Sequence, residues 1–178
     1  MLSKDECVLV VIDVQGKLAH MMHNKEDLFN NIQIMIQGAK ALDIPVIWVE
    51  QYPEGLGGTI EEIADLLEGA PVEKVTFNSC LNDEFVKTLS SYNRQQVLVV
   101  GIETHICVYQ TVMGLLKAEY DVHVVADGVS SRTEDNKLIG LEKMKDGGAH
   151  ITSTETTLFE LVRIAEGQEF KEILKLVK

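Results

Sequence analysis

Three side chains define what chemistry this chain can do: Cys107, Asp13 and Lys74. Cys107 ends the stretch Val97-Leu98-Val99-Val100-Gly101-Ile102-Glu103-Thr104-His105-Ile106-Cys107. There an apolar, β-branched run stops at a glycine, a short polar turn follows, and the cysteine opens a helical pattern. Unpaired backbone N–H groups at a helix start favour a thiolate, so the position suits a nucleophile. Asp13 directly follows Val8-Leu9-Val10-Val11-Ile12. A carboxylate at the end of a buried strand is costly unless it is paired or put to use. Lys74 lies in Val72-Glu73-Lys74-Val75-Thr76-Phe77. Beside Asp13, its ammonium would hold the carboxylate ionised and polarise a carbonyl. Each residue also has a plainer reading. Cys107 alone is a buried helix-start cysteine, Asp13 a turn-capping residue like Asp127, and Lys74 a solvated strand-edge lysine.

Other polar residues offer less. His105 suggests a Cys–His pair with Cys107, but two residues apart on a helix start the side chains diverge. His20 and His23 flank a Met pair with no carboxylate at ligand spacing, so no metal is expected there. Gly55-Leu56-Gly57-Gly58 lacks the lysine of a phosphate-binding loop and the spacing of a dinucleotide fingerprint, so no nucleotide cofactor is expected.

The elements that must position these groups follow from the hydropathy pattern. Apolar runs at Cys7–Ile12, 46–49, 73–77, 97–100, 122–125 and 149–152 read as six strands. Amphipathic stretches at 27–42, 60–67, 82–89, 104–119, 136–145, 156–165 and 169–177 read as helices between and after them. Thr59 with Glu62 reads as a capping box for the second of these, and Asn82 as the cap of the third. Unbroken apolar strands are covered on both faces, and strand–helix alternation implies parallel units with right-handed crossovers. The expected fold is a three-layer α/β/α domain with a six-stranded parallel sheet. In such sheets ligands sit beyond the carboxyl ends of the strands, where strand order reverses.

Bulk properties narrow the function. The 178 residues suit one domain, 1–178, and 46% are apolar. The formal charge of −12 argues against nucleic acid or an anionic membrane surface as partner, since both need clustered Lys and Arg. Three widely spaced cysteines make no disulfide framework. The opening Met1-Leu2-Ser3-Lys4-Asp5-Glu6 is charged rather than leader-like, and no apolar run reaches membrane length. A cytoplasmic location is expected.

Together Val11-Ile12-Asp13-Val14-Gln15, Val72 to Ser79, and Gly101 to Val108 resemble motifs of the isochorismatase-like cysteine hydrolase superfamily. That superfamily includes nicotinamidases and N-carbamoylsarcosine amidase. The resemblance runs from the first strand to the sixth, and Glu50 to Gly57 is similar to its small, functionally unassigned members. It implies a Rossmann-like fold and a catalytic triad: Cys107 as nucleophile, Asp13 as general base and Lys74 as electrostatic partner. It further implies a cis peptide at Ile102–Glu103 and an oxyanion hole from the backbone N–H groups of Glu103 and Cys107. The implied substrate is a small molecule, an amide, ureido compound or ester, and the implied assembly a homo-oligomer, dimer or higher. Phe159, Leu161, Phe170, Ile173 and Leu176 near the C-terminus supply apolar surface for such contacts, or for the home sheet. Candidate pocket residues are Leu18, His20, Tyr52, Phe77 and His105. Where nicotinamidases carry an Asp-x-His metal motif, this chain has Gln51-Tyr52-Pro53. No metal and no cofactor are therefore expected. Two alternatives remain open at this point: a vinyl-ether hydrolase using Asp13 and Lys74 with Cys107 a bystander, and a non-catalytic thiol redox or binding module.

Overall fold

The structure, a computed structural model, describes residues 1–178. Its elements run β1 (Cys7–Ile12), α1 (Gly16–Ala19), α2 (Lys25–Ala41), β2 (Val46–Gln51), α3 (Pro53–Leu56), α4 (Glu61–Ala64), β3 (Val72–Lys74), α5 (Asp83–Ser91) and β4 (Gln96–Ile102). They continue with α6 (Tyr109–Lys117), β5 (Asp121–Ser130), α7 (Glu134–Asp146), β6 (His150–Thr152), α8 (Thr154–Val162) and α9 (Gly167–Leu176). The six strands form one all-parallel sheet in the order β3-β2-β1-β4-β5-β6. Strand order therefore reverses between β1 and β4, and a crevice opens there beyond the strand ends.

Strand periodicity divides the core in two. In β1, Cys7, Leu9 and Val11 face a core that includes Ile32, Met35 and Ile36 of α2 with Leu158 and Ile173. Val8, Val10 and Ile12 face the opposite core, with Phe85, Val112, Leu115 and Met144. A strand buried on both faces has no solvated side to alternate with, which is why β1 is apolar at all six positions.

Several elements differ from the sequence expectation. The third strand is Val72–Lys74 rather than 73–77, because it pairs only with β2, and Val75 beyond it is 78% exposed. Thr59 does not cap α4. Its amide and hydroxyl both donate to Glu50 Oε1, at 2.6 and 2.8 Å. The helix expected over 104–119 begins as a wide turn, Thr104–Val108, in which the Val108 N–H reaches back to the Glu103 carbonyl at 3.2 Å. Asn82 does cap α5, accepting from the Phe85 N–H at 2.9 Å. The apolar residues near the C-terminus are covered at home only in part, Phe159, Phe170 and Leu176 staying half-buried. Phe159 packs on Phe170 with ring centres 6.4 Å apart, and Leu161 and Ile173 join the core.

Gly101 lets β1 and β4 approach at the reversal point. Its φ is +124°, and it stands opposite Ile12 in the ladder. A Cβ there would overlap the Ile12 carbonyl oxygen and lie 2.6 Å from its nitrogen. Backbone cannot swing aside as a side chain can, and the position disfavours any L side chain. Gly101→Ala is expected to cost at least about 3 kcal/mol. Thermal unfolding followed by circular dichroism should show a Tm roughly 6–12 °C lower.

Candidate active site

Asp13, Lys74 and Cys107 meet in that crevice. Asp13 leaves β1 with φ +50°, a left-handed backbone that Asp tolerates better than most residues and that recurs at functional sites. Lys74 ends β3, two strands away, and its Nζ donates to Asp13 Oδ2 at 2.7 Å. The lysine side chain is fully buried and that of the aspartate 5% exposed. Nζ donates also to Gln51 Oε1 at 2.8 Å. Asp13 Oδ1 has no hydrogen-bond partner of good geometry in the protein. The Cys107 thiol, set by the wide turn after β4, stands beside this carboxyl, close enough that each perturbs the other's proton.

The three groups titrate abnormally for reasons visible in their surroundings. Burial raises the pKa of Asp13; the Lys74 ammonium opposes this without cancelling it, and Glu50 adds to it. Burial and then the Asp13 carboxylate push the Cys107 thiol up to about 12, against a smaller opposing pull from Lys74. Burial beside the carboxylate outweighs the pull of the turn N-terminus toward a thiolate. The resting pair is a thiol beside a buried, lysine-bound carboxyl. Deprotonation of the sulfur must be coupled to its use.

The pocket has a volume of about 100 Å³ and is walled by Asp13, Gln15, Leu18, Gln51, Leu56, Phe77, Ile102, Glu103, Ile106 and Cys107. Of the residues proposed from sequence, Leu18 and Phe77 line it. His20, Tyr52 and His105 stand outside that wall. His20 packs edge-on to Phe29, Tyr52 is 53% exposed, and His105 Nδ1 pairs with Ser131 Oγ at 2.9 Å. The Ile102–Glu103 peptide is cis. The backbone N–H of Glu103 finds no acceptor within the protein. Its side chain is occupied elsewhere, accepting from the Arg132 backbone N–H at 3.0 Å and Nε at 3.1 Å. The Glu103 carboxylate at the pocket wall is thereby paired with Arg132.

The isochorismatase domain model matches residues 7–156, from β1 into α8. The chain belongs to the isochorismatase family. An isochorismatase relative described as a secreted isochorismatase effector, from Phytophthora sojae, is 40% identical over 176 residues, covering 96% of this chain and 84% of its own. The solved MAR1 ribonuclease of Caenorhabditis elegans superposes with a TM-score of 0.92 at 35% identity, covering 99% of this chain and 91% of that one. Escherichia coli YcaC, described as an octameric hydrolase of unknown specificity, shares the fold at a TM-score of 0.92 and 22% identity, covering 98% and 88%. Isochorismatase family membership supports hydrolase activity.

Two site residues were not singled out in the sequence. Gln15 is 1% exposed and ties three segments together. Its amide donates to the carbonyls of Gln51 and Gly57 at 3.1 and 2.7 Å, and its Oε1 accepts from the Gln51 N–H at 2.6 Å. Gln51, noted in the sequence only for standing where a metal motif could be, instead holds the lysine. The one signal for Gln15 was its place in the first-strand motif. No helix here is long and apolar enough to cross a membrane.

Proposed function

We propose that this chain is a cysteine-dependent hydrolase of small amides, ureido compounds or related esters, working without a cofactor. The observation that carries the reading is the convergence of a buried Asp13–Lys74 pair and one thiol on a single small pocket. Asp13 takes the thiol proton as Cys107 Sγ attacks the substrate carbonyl carbon. The electron pair moves to the carbonyl oxygen, held by the N–H groups of Glu103 and Cys107. Collapse expels the amine, which receives the proton from Asp13, and leaves a thioester. Water, deprotonated by Asp13, then cleaves the thioester to acid and thiol. Lys74 stabilises the carboxylate in each step where it is ionised.

Several features support a small, uncharged substrate. The cavity of about 100 Å³ is well below the size of sites for drug-sized ligands. Its wall is mainly Leu18, Leu56, Phe77, Ile102 and Ile106. A net charge of −12 disfavours a polyanion such as RNA, whatever the C. elegans relative acts on. Self-association and a reducing compartment belong to the same proposal; sedimentation velocity and cell fractionation read them directly. A panel of small amides and ureas assayed for ammonia release, before and after thiol alkylation, tests the reading. Turnover that alkylation abolishes supports it; turnover that survives alkylation overturns it.

The raised Asp13 pKa favours one rival reading, in which the protonated carboxyl acts first as acid on a vinyl ether. The pH profile separates the two. A base must be ionised, so amide kcat/KM is expected to rise with pH through a pKa above the ordinary carboxylate value of about 3.9. An acid would give a rate that falls over the same range. Asp13→Asn should remove that limb along with most of the activity.

A further inference from the structure

We propose that Asp121, His123 and His150 form a binding site for a borderline divalent metal ion such as Zn²⁺, at the sheet edge remote from the Cys107 pocket. Asp121 and His123 open β5 and His150 opens β6, so the cluster lies at the amino ends of the strands, whereas Asp13 and Cys107 lie beyond the carboxyl ends. Register brings the three together. His123 pairs directly with His150 across the ladder, and Asp121, two residues before His123, projects to the same face.

The distances suit a shared ion. Asp121 Oδ1 lies 3.1 Å from His123 Nε2 and 3.3 Å from His150 Nε2. All three ligand atoms lie within 4.8 Å of one another. Zn–N and Zn–O bonds of about 2.0–2.2 Å around a tetrahedron place neighbouring ligand atoms roughly 3.3 Å apart. The two rings stack at 4.7 Å. The side chain of His150 is 65% exposed and free to tilt toward a common centre.

A second observation points to a ligand. His123 is 7% exposed, and its buried Nε2 makes no hydrogen bond, although Asp121 Oδ1 is 3.1 Å away. The contact is close without making a hydrogen bond, so the nitrogen is left unsatisfied at a cost that an ion would relieve. The Gln96 side-chain amide donates to Asp121 Oδ2 at 2.9 Å, which leaves Oδ1 turned to the imidazoles. Such an outer hydrogen bond is the usual support of a ligating carboxylate. Two imidazoles and one carboxylate select Zn²⁺, Co²⁺, Ni²⁺ or Cu²⁺ over Ca²⁺ and Mg²⁺, which want oxygen ligands. The remaining positions would be filled by water, and the ion would clip the edge strand β6 to β5.

Equilibrium dialysis of the purified protein against Zn²⁺, with Co²⁺ absorption as a second readout, tests this. One equivalent is expected to bind, at least tenfold more weakly to His150→Ala and Asp121→Asn. The exposed His150 makes the first of these safe for folding. At about 100-fold excess over Kd, Zn²⁺ should raise Tm by roughly 5–10 °C in the parent and not in His150→Ala. Cys107→Ala should bind as the parent does. Absence of binding, binding unchanged in both His150→Ala and Asp121→Asn, or binding lost with Cys107 would overturn the site.

Discussion

Cys107→Ala is expected to lower kcat/KM by at least about 10³-fold on any amide the parent cleaves, with the fold intact. The size of the effect follows from the chemistry. Without sulfur there is no thioester route, and the remaining oxyanion donors and Asp13 must activate water directly. The fold should tolerate the change. Cys107 is 8% exposed, and the alanine removes one heavy atom, the thiol sulfur that sits against a carboxylate. Tm should move by no more than a few degrees. Stopped-flow or burst kinetics on an activated ester give a finer test, because the parent should accumulate a thioester detectable by intact mass. If the variant turns over at parental rate, the sulfur is a bystander and the acid-first ether reading gains. The redox-module alternative is disfavoured on separate grounds. Sensor thiols are exposed and acidic, and this one is buried with its pKa pushed up to about 12.

The parts of this protein legible from sequence are those governed by short-range physics. β1 and β4 announce themselves because strands covered on both faces admit only apolar residues, and the Asn82 cap because its partner is three residues on. What stayed hidden depends on contacts between distant segments. The third strand was placed too far along, since hydropathy reads Val75 and Phe77 as strand residues while the only neighbour, β2, has already ended at Gln51. Thr59 has every local attribute of a cap and is captured by Glu50 instead. Gln15 and Gln51 look like ordinary glutamines; only the pairing of β2 with β3 sets Gln51 opposite the lysine, and only the adjacency of β1 and β2 brings Gln15 to the Gln51 backbone. The suppressed acidity of Cys107 was invisible because turn position favours the thiolate, and burial beside a carboxylate outweighs it. The His123–His150 pair is a matter of register between β5 and β6, 27 residues apart in sequence.

Lys74→Met should be the most damaging change to stability at the site, and its effect should depend on pH. The substitution keeps length and apolar bulk while deleting the charge that faces Asp13 at 2.7 Å. Removing one member of a buried ion pair leaves an uncompensated charge and typically costs about 3–5 kcal/mol. Near neutral pH that corresponds to a Tm lower by roughly 6–20 °C. Asp13 can escape the penalty by taking a proton. Its folded pKa is already raised by burial, and loss of the ammonium raises it further. A carboxyl whose folded pKa exceeds its unfolded value contributes stability at pH below the unfolded value, and that contribution disappears as pH rises through the folded one. The gap between variant and parent should therefore be small near pH 4 and widen with increasing pH until Asp13 is ionised in the variant. Adding Asp13→Asn supplies the control. The double variant has no buried charge to leave unpaired, so it should unfold at a higher temperature than Lys74→Met alone at pH 7. Its shortfall from the parent should be less than the sum of the two single losses, since residues in direct contact do not add. Equal Tm values for Lys74→Met and the parent at pH 7 would mean that Asp13 is already protonated there, and a protonated Asp13 is no base for Cys107.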